Sequence, residues 1–277
     1  MSKQELDLGT DDCLAYIEDS IEVITLNRPE ARNAMSGGMT QGLAKALEHA
    51  ETSPEVRAVV VTGAGGAFCA GGDVKGMAAA SSGGNERPAT IDERIAGQRS
   101  NQRATAGRMH MMPKPVVASI PGPAAGAGLG LALAADMRIM ADTAFITSAF
   151  AKVGFSGDYG GAYFLSKLVG QGKAREIYYL SDRVTSEECL ALGIANQVVP
   201  AAELEAASIE LAKRLASGPP IAFRYMKENF NRVSQGAGLY EFMDVEVSHH
   251  THTGQSDDHK NAARAFVEKT QPVFEGK

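Results

Sequence analysis

The stretch from residue 116 to residue 136 constrains the fold of this chain more than any other. It begins with a short β-type run, passes through a turn of proline and glycine, and ends in a helical segment that is apolar on every side. A helix without a polar face is normally buried. Glycine and alanine crowd its start at residues 124–128, although glycine weakens a helix by roughly 1 kcal/mol relative to alanine. They indicate either tight helix packing or close approach of a ligand to N–H groups at a helix N-terminus.

Length and composition set the broad class of protein. The 277 residues suffice for one large domain or two small ones, and 44% hydrophobic with 22% charged residues is ordinary for a globular chain. The net charge of −6 gives no electrostatic support to nucleic-acid binding. No apolar run is long enough to span a bilayer. The three cysteines form no CxxC pair and residues 1–7 lack a signal-peptide core, so we expect a cytoplasmic location.

Strand and helix patterns alternate along the first two thirds of the chain. Two strands flank an Asp19–Ser20 turn, an amphipathic helix opens at Ser36, and residues 56–62 form a buried strand. The remaining pattern is helical. The sequence therefore predicts an α/β core over residues 1–202, followed by a helical region over residues 203–277.

Two further segments carry candidate chemistry. Residues 67–75 pass from a strand into paired glycines and then towards a helix, which exposes backbone N–H groups for a second time. An ordinary strand–helix turn has the same pattern. Residues 155–161 place one acid, Asp158, in an otherwise uncharged turn before another helix.

Four short motifs occur in a fixed order over nearly the whole chain. They are residues 26–34, 68–75, 115–136 and 265–269. Together they resemble the crotonase (enoyl-CoA hydratase/isomerase) superfamily. The resemblance implies a crotonase-like spiral of ββα turns, with C-terminal helices that form a homotrimer or a dimer of trimers. It also implies an acyl-CoA thioester as substrate, with coenzyme A as part of the substrate and no further cofactor, nucleic acid or membrane.

The same resemblance assigns two backbone donors. The N–H groups of Gly72 and Ala127 are expected to point at the thioester carbonyl and to stabilise an enolate. Removing one such donor typically costs about 2.7–4 kcal/mol of transition-state stabilisation. The positions that the family uses to contact CoA and substrate are Ala31, Arg32, Ala70, Gly72, Asp73, Val74, Lys75, Phe266 and Lys269. Lys269 either reaches the CoA phosphates or is a solvated surface lysine, since the family's second basic residue is Thr270 here.

The acid positions depart from the pattern of the hydratases. Hydratases of this family use two glutamates, and the matching positions here are Gly130 and Phe150, neither of which can move a proton. Phe150 is expected to line the acyl pocket instead. Related isomerases carry an acid at the position of Asp158, and residues 124–128 with 152–161 look most like the phenylacetate-pathway epoxyphenylacetyl-CoA isomerases. Tyr159 is assigned to substrate contact, with core packing as the alternative.

The sequence hypothesis is therefore an acyl-CoA isomerase in which Asp158 carries the proton. One carboxylate between two carbons can remove a proton from the first and return it to the second, and burial raises its pKa. Three alternatives stay open: an enoyl-CoA hydratase, a 4-chlorobenzoyl-CoA-dehalogenase-like enzyme with an aspartate nucleophile, and a non-catalytic acyl-CoA binder. The acyl group is not readable, because the variable residues 76–110 supply much of the pocket wall. The histidines at 249–252 fit no zinc pattern, so no metal is expected.

Overall fold

The structure is a computed structural model that describes residues 3–73 and 89–277. Val74 and Lys75, two predicted CoA contacts, lie outside the described residues. The strands are β1 (Gln4–Leu6), β2 (Cys13–Glu18), β3 (Ile21–Leu26), β4 (Ala58–Gly63), β5 (Val116–Ile120), β6 (Ala124–Ala125), β7 (Met137–Ala141), β8 (Phe145–Thr147), β9 (Val184–Thr185) and β10 (Gln197–Val199).

The described helices follow the predicted order closely. They are α1 (Gly37–Thr52), α2 (Ile91–Gln102), α3 (Arg108–Met111), α4 (Ala127–Ala134), α5 (Gly161–Leu180), α6 (Ser186–Ala191), α7 (Leu204–Ala216), α8 (Pro220–Ser234), α9 (Leu239–Gln255) and α10 (Asp257–Glu268). Ser36 caps α1 through a hydrogen bond from the amide of Met39. Within the described ranges, no helix is long and apolar enough to cross a membrane.

Two sheets form the core. The larger has the order β1-β2-β3-β4-β5-β7-β10, and its strands from β3 onwards are parallel. The smaller has the order β6-β8-β9. The chain runs directly from β5 into β6 and from β7 into β8, so it passes twice from the large sheet to the small one. This repeated step is the ββα arrangement that the resemblance implies.

The predicted hairpin and the predicted buried strand are both confirmed. Strands β2 and β3 pair antiparallel around Asp19 and Ser20, whose φ angles of 50° and 61° suit the twist of a two-residue hairpin. Strand β4 covers most of the predicted residues 56–62, and its first four residues, 58–61, are buried. Every residue of the neighbouring strand β5 is buried as well, as expected for a central parallel strand covered on both faces. Helix α4 is buried along its whole length, which confirms the interpretation of its apolar sequence.

The C-terminal helices differ in how they meet the core. Helix α7 lies on the large sheet, where Ser208 Oγ donates to Ser119 Oγ at 2.9 Å. Helices α9 and α10 present apolar side chains to the exterior, including Tyr240, Val247 and Phe266. The division of the chain at residue 203 stays a prediction.

Helix α8 is fixed by one buried lysine. Lys227 Nζ donates to the carbonyl oxygens of Met109 at 2.9 Å and Lys114 at 3.0 Å, and to Asp136 Oδ2 at 2.8 Å. Asp136 also accepts from the amide of Val116 at 2.7 Å, so the same carboxylate holds the start of β5. Burial lowers the pKa of Lys227, and its three oxygen partners offset the desolvation of the ammonium group.

We expect Lys227→Met to lower the free energy of unfolding by about 3 kcal/mol, because it leaves a carboxylate and two carbonyl groups without their donor. Urea unfolding followed by circular dichroism measures the loss. Lys213→Met is the matched control, since Lys213 pairs with Asp19 on the surface and its removal should change stability little. Equal effects of the two substitutions would contradict the structural role of Lys227.

Candidate active site

The first two motifs lie side by side. Ala31 ends a short helical turn, and Arg32 then takes a left-handed backbone conformation with φ 51°. The amide of Ala70 donates to the carbonyl oxygen of Arg32 at 3.0 Å, and the amide of Met35 donates to that of Gly71 at 2.8 Å. The structure therefore brings together Ala31, Arg32 and Ala70, three of the predicted CoA contacts.

Two residues that sequence reasoning did not single out hold this pair of loops. Arg28 Nη1 donates to the carbonyl oxygen of Ala34 at 2.7 Å and to Asp73 Oδ2 at 3.1 Å. Asn33 is fully buried, and its Nδ2 donates to the carbonyl oxygen of Ala67 at 2.8 Å. Both residues belong to the first motif, and that position in the motif is the sequence signal that could have identified them. Arg28 fixes Asp73, a predicted CoA contact, relative to the loop before α1, and Asn33 fixes the start of the second motif to the same loop.

The two predicted backbone donors are neighbours in space. Gly71 has φ +93°, and a Cβ there would lie 2.9 Å from the carbonyl oxygen of Ala125 and 3.4 Å from the amide nitrogen of Ala127. The turn that carries Gly72 thus abuts the first residue of α4. The hydrogen bonds of the described residues include none donated by the amides of Gly72 or Ala127. The role of both N–H groups as donors to a substrate stays a prediction.

Tight packing explains one of the glycines in α4. A Cβ at Gly128 would lie 2.6 Å from the Cβ of Cys69 and 2.8 Å from its carbonyl carbon. Only glycine lets the helix lie directly on the second motif. The contact also buries the Cys69 thiol, and burial raises its pKa to about 12. Because the thiolate is the reactive form, Cys69 is not an activated nucleophile.

Gly130 has the same role towards the segment that carries the acid. A Cβ at Gly130 would lie 2.7 Å from the Cβ and 2.9 Å from the carbonyl oxygen of Tyr159. Tyr159 is 5% exposed and has φ 47°, a left-handed conformation that is uncommon for a bulky residue. Position 130 corresponds to a glutamate in the hydratases by resemblance, and in this chain the backbone of Tyr159 lies where that side chain would begin.

Asp158 carries the perturbed carboxyl group of this region. Burial raises its pKa from 3.8 to about 6. Gln98 Nε2 in α2 donates to Asp158 Oδ2 at 3.4 Å, whereas Oδ1 is buried without a hydrogen-bond partner among the described residues. The charge of Asp158 also acts on the thiol of Cys69, so the acid lies within electrostatic reach of the second motif.

Gln98 was not predicted as a site residue. It lies sixty residues before its partner, in a polar and exposed helix, and no local pattern marks it.

Phe150 and Tyr178 form the wall next to α4. Phe150 is 8% exposed, and its ring stacks on that of Tyr178 with centroids 5.9 Å apart and planes 24° apart. A Cβ at Gly126 would lie 3.8 Å from Phe150 Cε1. The predicted pocket residue is therefore close to the predicted donor Ala127. Tyr178 was not predicted.

A groove of about 800 Å³ runs between α2 and the segment that follows Phe155. Its lining includes Ile95, Gln98, Phe155, Tyr159 and Phe164. The lining also includes three arginines of α2 and the turn after it, at positions 94, 99 and 103, so the groove is both apolar and basic. Gln98 joins the groove to Asp158. Tyr159 belongs both to this lining and to the core, so its assignment to substrate contact stays a prediction.

Phe266 and Lys269, the last two predicted CoA contacts, lie apart from the residues around Asp158. Phe266 is 86% exposed on α10, and Lys269 follows that helix with φ 56°. Among the described residues, no hydrogen bond, ion pair or ring contact joins either side chain to the region of Asp158. Their contact with CoA stays a prediction.

His249 of α9 contacts two residues of the neighbouring helix α8. His249 Nδ1 lies 2.6 Å from Asn229 Oδ1, and its ring lies 4.4 Å from that of Tyr225 between centroids. In residues 3–73 and 89–277, no group of three or more histidine, cysteine or acidic side chains is placed to hold a metal ion.

Comparisons with known proteins identify the family of the chain. Residues 16–277 match the family described as enoyl-CoA hydratase/isomerase. The chain is 31% identical to the 1,2-epoxyphenylacetyl-CoA isomerase of Escherichia coli (strain K12), over 95% of this chain and 98% of the relative. It is 30% identical to the short-chain-enoyl-CoA hydratase of Clostridium acetobutylicum, over 91% and 93%. The crystal structure of an enoyl-CoA hydratase from Polaromonas sp. JS666 superimposes with a TM-score of 0.86 at 30% identity, covering 94% of this chain and 98% of that one.

The chain belongs to the enoyl-CoA hydratase/isomerase family and has the crotonase fold. It is an enzyme of that family, whose members act on acyl-CoA thioesters. The relatives carry both isomerase and hydratase names, so membership alone does not select the reaction.

We expect Gly130→Ala to lower the free energy of unfolding by about 1–3 kcal/mol, because the added methyl group meets the backbone of Tyr159 rather than a flexible side chain. Thermal melts measure the change. Gly172→Ala in α5 is the matched control. A Cβ there meets nothing within 4 Å, so higher helix propensity should leave stability equal or greater. A neutral Gly130→Ala would contradict the close approach of the two segments.

We expect Asp158→Asn to stabilise the fold by about 1 kcal/mol at pH 7.5, after allowance for partial exposure. The pKa of Asp158 is raised in the folded state, so the native carboxyl keeps its proton between pH 4 and 6 while the unfolded one loses it. Ionisation of Asp158 therefore lowers the stability of the wild-type protein as pH rises through that window, and the asparagine variant lacks this contribution. Urea unfolding at pH 4.5 and 7.5 measures this, with the exposed Asp244→Asn as control. A stability difference independent of pH would contradict the raised pKa.

Proposed function

We propose that this enzyme is an acyl-CoA isomerase in which Asp158 moves a proton along an unsaturated acyl thioester. The observation that carries the proposal is the state of Asp158. Its carboxyl group is partly buried, has a pKa raised to about 6, and keeps one buried oxygen without a hydrogen-bond partner among the described residues. A carboxyl group with those properties is suited to both take and return a proton near neutral pH.

The proposed reaction needs one acid–base group and two donors. The Asp158 carboxylate takes a proton from a carbon of the acyl chain, and the electron pair of the broken C–H bond moves towards the thioester to give an enolate. The amides of Gly72 and Ala127 donate to the enolate oxygen, assisted by the N-terminus of α4. The neutral carboxyl group then returns the proton at the other end of the unsaturated system. No water, redox partner or cofactor enters the balance, and coenzyme A arrives as part of the substrate.

The surroundings of Gly130 favour isomerisation over hydration. Water addition by the two-glutamate mechanism needs a second carboxyl group, and the backbone of Tyr159 leaves no space for one at position 130. At the other position, Phe150 is apolar and stacks on Tyr178. One proton-carrying side chain is sufficient for a bond shift.

The CoA end of the proposal rests on the paired first and second motifs. Hydrogen bonds join Arg32 to Ala70, and an ion pair joins Arg28 to Asp73, so these positions form one continuous surface beside Gly72. We retain Val74, Lys75, Phe266 and Lys269 as proposed CoA contacts on the resemblance alone.

Assembly and location are also part of the proposal. Exposed apolar side chains on the C-terminal helices support a homotrimer or a dimer of trimers, and they include Phe230, Val233, Leu239, Tyr240, Val247 and Phe266. The proposed location is the cytoplasm.

The test is incubation with Δ3-enoyl, crotonyl and ring-epoxide phenylacetyl CoA esters in deuterated water, read by mass spectrometry and proton NMR. We expect migration of a double bond or rearrangement of the acyl group, with solvent deuterium incorporated wherever the proton exchanges. Asp158→Asn should lower the rate by about 10²–10⁴-fold. The wild-type kcat/KM should rise as pH increases through about 6, because the free enzyme must carry the carboxylate.

The exposed Asp244→Asn serves as the control and should keep full activity. Gain of the mass of water without bond migration would identify a hydratase and contradict the proposal. A covalent adduct on Asp158 with an aryl ester would identify a dehalogenase-like nucleophile. Tight binding of CoA esters without any turnover would identify a binding protein.

A further inference from the structure

Two buried polar atoms near the turn at residues 157–161 lack hydrogen-bond partners among the described residues. They are Asp158 Oδ1 and the phenolic oxygen of Tyr178. Well over nine tenths of buried polar groups in proteins are hydrogen-bonded, so each such atom needs an explanation. An ionised carboxylate only accepts hydrogen bonds, and a phenol donates one readily. The two unsatisfied groups are therefore complementary.

Tyr178 lies against the residues on both sides of Asp158. A Cβ at Gly157 would lie 3.2 Å from Tyr178 Cε1, and a Cβ at Gly161 would collide with the phenolic oxygen. Two glycines thus leave the space that the tyrosine ring occupies. Burial raises the pKa of the Tyr178 phenol, and the charge of Asp158 raises it further, so the phenol keeps its proton and remains a donor.

A break in α5 is what places Tyr178 there. In a straight helix, residues 161 and 178 would be about 25 Å apart. Gly170 has φ 76° and ψ 165°, which interrupts the helix and lets its second half return to its beginning. The stacking on Phe150 then fixes the plane of the Tyr178 ring. The ring therefore lies against Gly157 and Phe150, and the hydroxyl lies against Gly161, which offers it no hydrogen-bond partner from a side chain.

We propose that Tyr178 donates a hydrogen bond to Asp158 Oδ1, directly or through one water molecule, and thereby positions the carboxylate of the isomerase proposed above. Gln98 already donates to the other oxygen, Oδ2, so the pair would hold the carboxylate from two sides. Each oxygen keeps a second lone pair for the substrate proton. Catalytic hydrogen bonds are often long in unliganded sites and shorten in the complex. Tyr178 is a positioning residue that acts through Asp158.

The first test is the pH–rate profile of Tyr178→Phe, which keeps the ring and its stacking and removes only the hydroxyl. A hydrogen bond to the charged form lowers the pKa of a carboxyl group, so its loss should raise the kinetic pKa of Asp158 by roughly one unit. We expect kcat near pH 6 to fall about fivefold, as a one-unit rise of the pKa from about 6 dictates, and to recover towards the wild-type value above pH 8, with KM changed less than twofold. Tyr179→Phe is the matched control, because Tyr179 is the next residue of the same helix and is 73% exposed.

A second test does not depend on turnover. Carbon-13 NMR of aspartate-labelled protein follows the Asp158 carboxyl carbon, which the Asp158→Asn variant assigns. The Asp158 pKa should be about one unit higher in Tyr178→Phe than in the wild type and in Tyr179→Phe. If the phenylalanine variant does not fold, the Tyr178 Cζ shift in the wild type replaces it, and this shift should titrate with Asp158.

The outcomes separate this inference from the proposed function. An Asp158 pKa that is the same in the wild type and Tyr178→Phe, or a Tyr178 Cζ shift that ignores Asp158, overturns the hydrogen bond whatever the reaction is. A uniform loss of kcat at every pH also overturns it, since that would be a structural effect. A wild-type enzyme that turns over no ester, but shows the NMR shift, overturns the proposed isomerase and leaves the Tyr178–Asp158 pair standing.

Discussion

The candidate site depends on the close packing of helix α4 against two other segments. At both contact points the segments are so close that only glycine fits. Gly128 lies against Cys69, and Gly130 lies against Tyr159, each at a distance that no side chain permits. The first contact sets the amide of Ala127 beside the turn that carries Gly72. The second brings the segment of Asp158 onto the same buried helix. The two predicted backbone donors and Asp158 are thus brought together by one eight-residue helix that has no polar side chain.

Burial of the Asp158 carboxyl group lowers the stability of the fold and raises the pKa of that group. Closing the segment of Asp158 onto α4 buries part of a carboxyl group, and that burial raises its pKa. Above pH 6 the folded protein then holds a charge that would be better solvated in the unfolded chain. The core can offset this, because α4 and β5 are buried along their whole lengths and Lys227 ties α8 to the start of β5. A partly buried carboxylate lowers the free energy of unfolding, and a well-packed scaffold around it tolerates that loss.

The sequence predicted what local pattern and motif order encode, and it did not predict long-range side-chain contacts. The hairpin around Asp19, the buried α4 and the fold were all inferred correctly. The glycines of α4 had two open explanations, and the structure shows packing at residues 128 and 130 without removing a ligand role for the amide of Ala127. Gln98 and Tyr178 were not found. Gln98 meets its partner across sixty residues, and Tyr178 reaches the turn at 157–161 only because the helix breaks at Gly170.

The choice between a hydratase and an isomerase is a question of geometry within one fold, since relatives of similar identity carry either name. Adding a carboxyl side chain at position 130 would require moving the backbone of Tyr159, and Asp158 precedes that residue directly. A carboxyl side chain at position 130 and Asp158 in its present position therefore exclude each other sterically. In this chain, glycine at 130 admits the segment that presents Asp158, whereas a glutamate at 130 would displace it. In the proposed isomerase, the absence of the glutamate at position 130 and the presence of Asp158 beside the same helix are thus one structural feature, which changes the position of the carboxyl group while the two predicted backbone donors keep theirs.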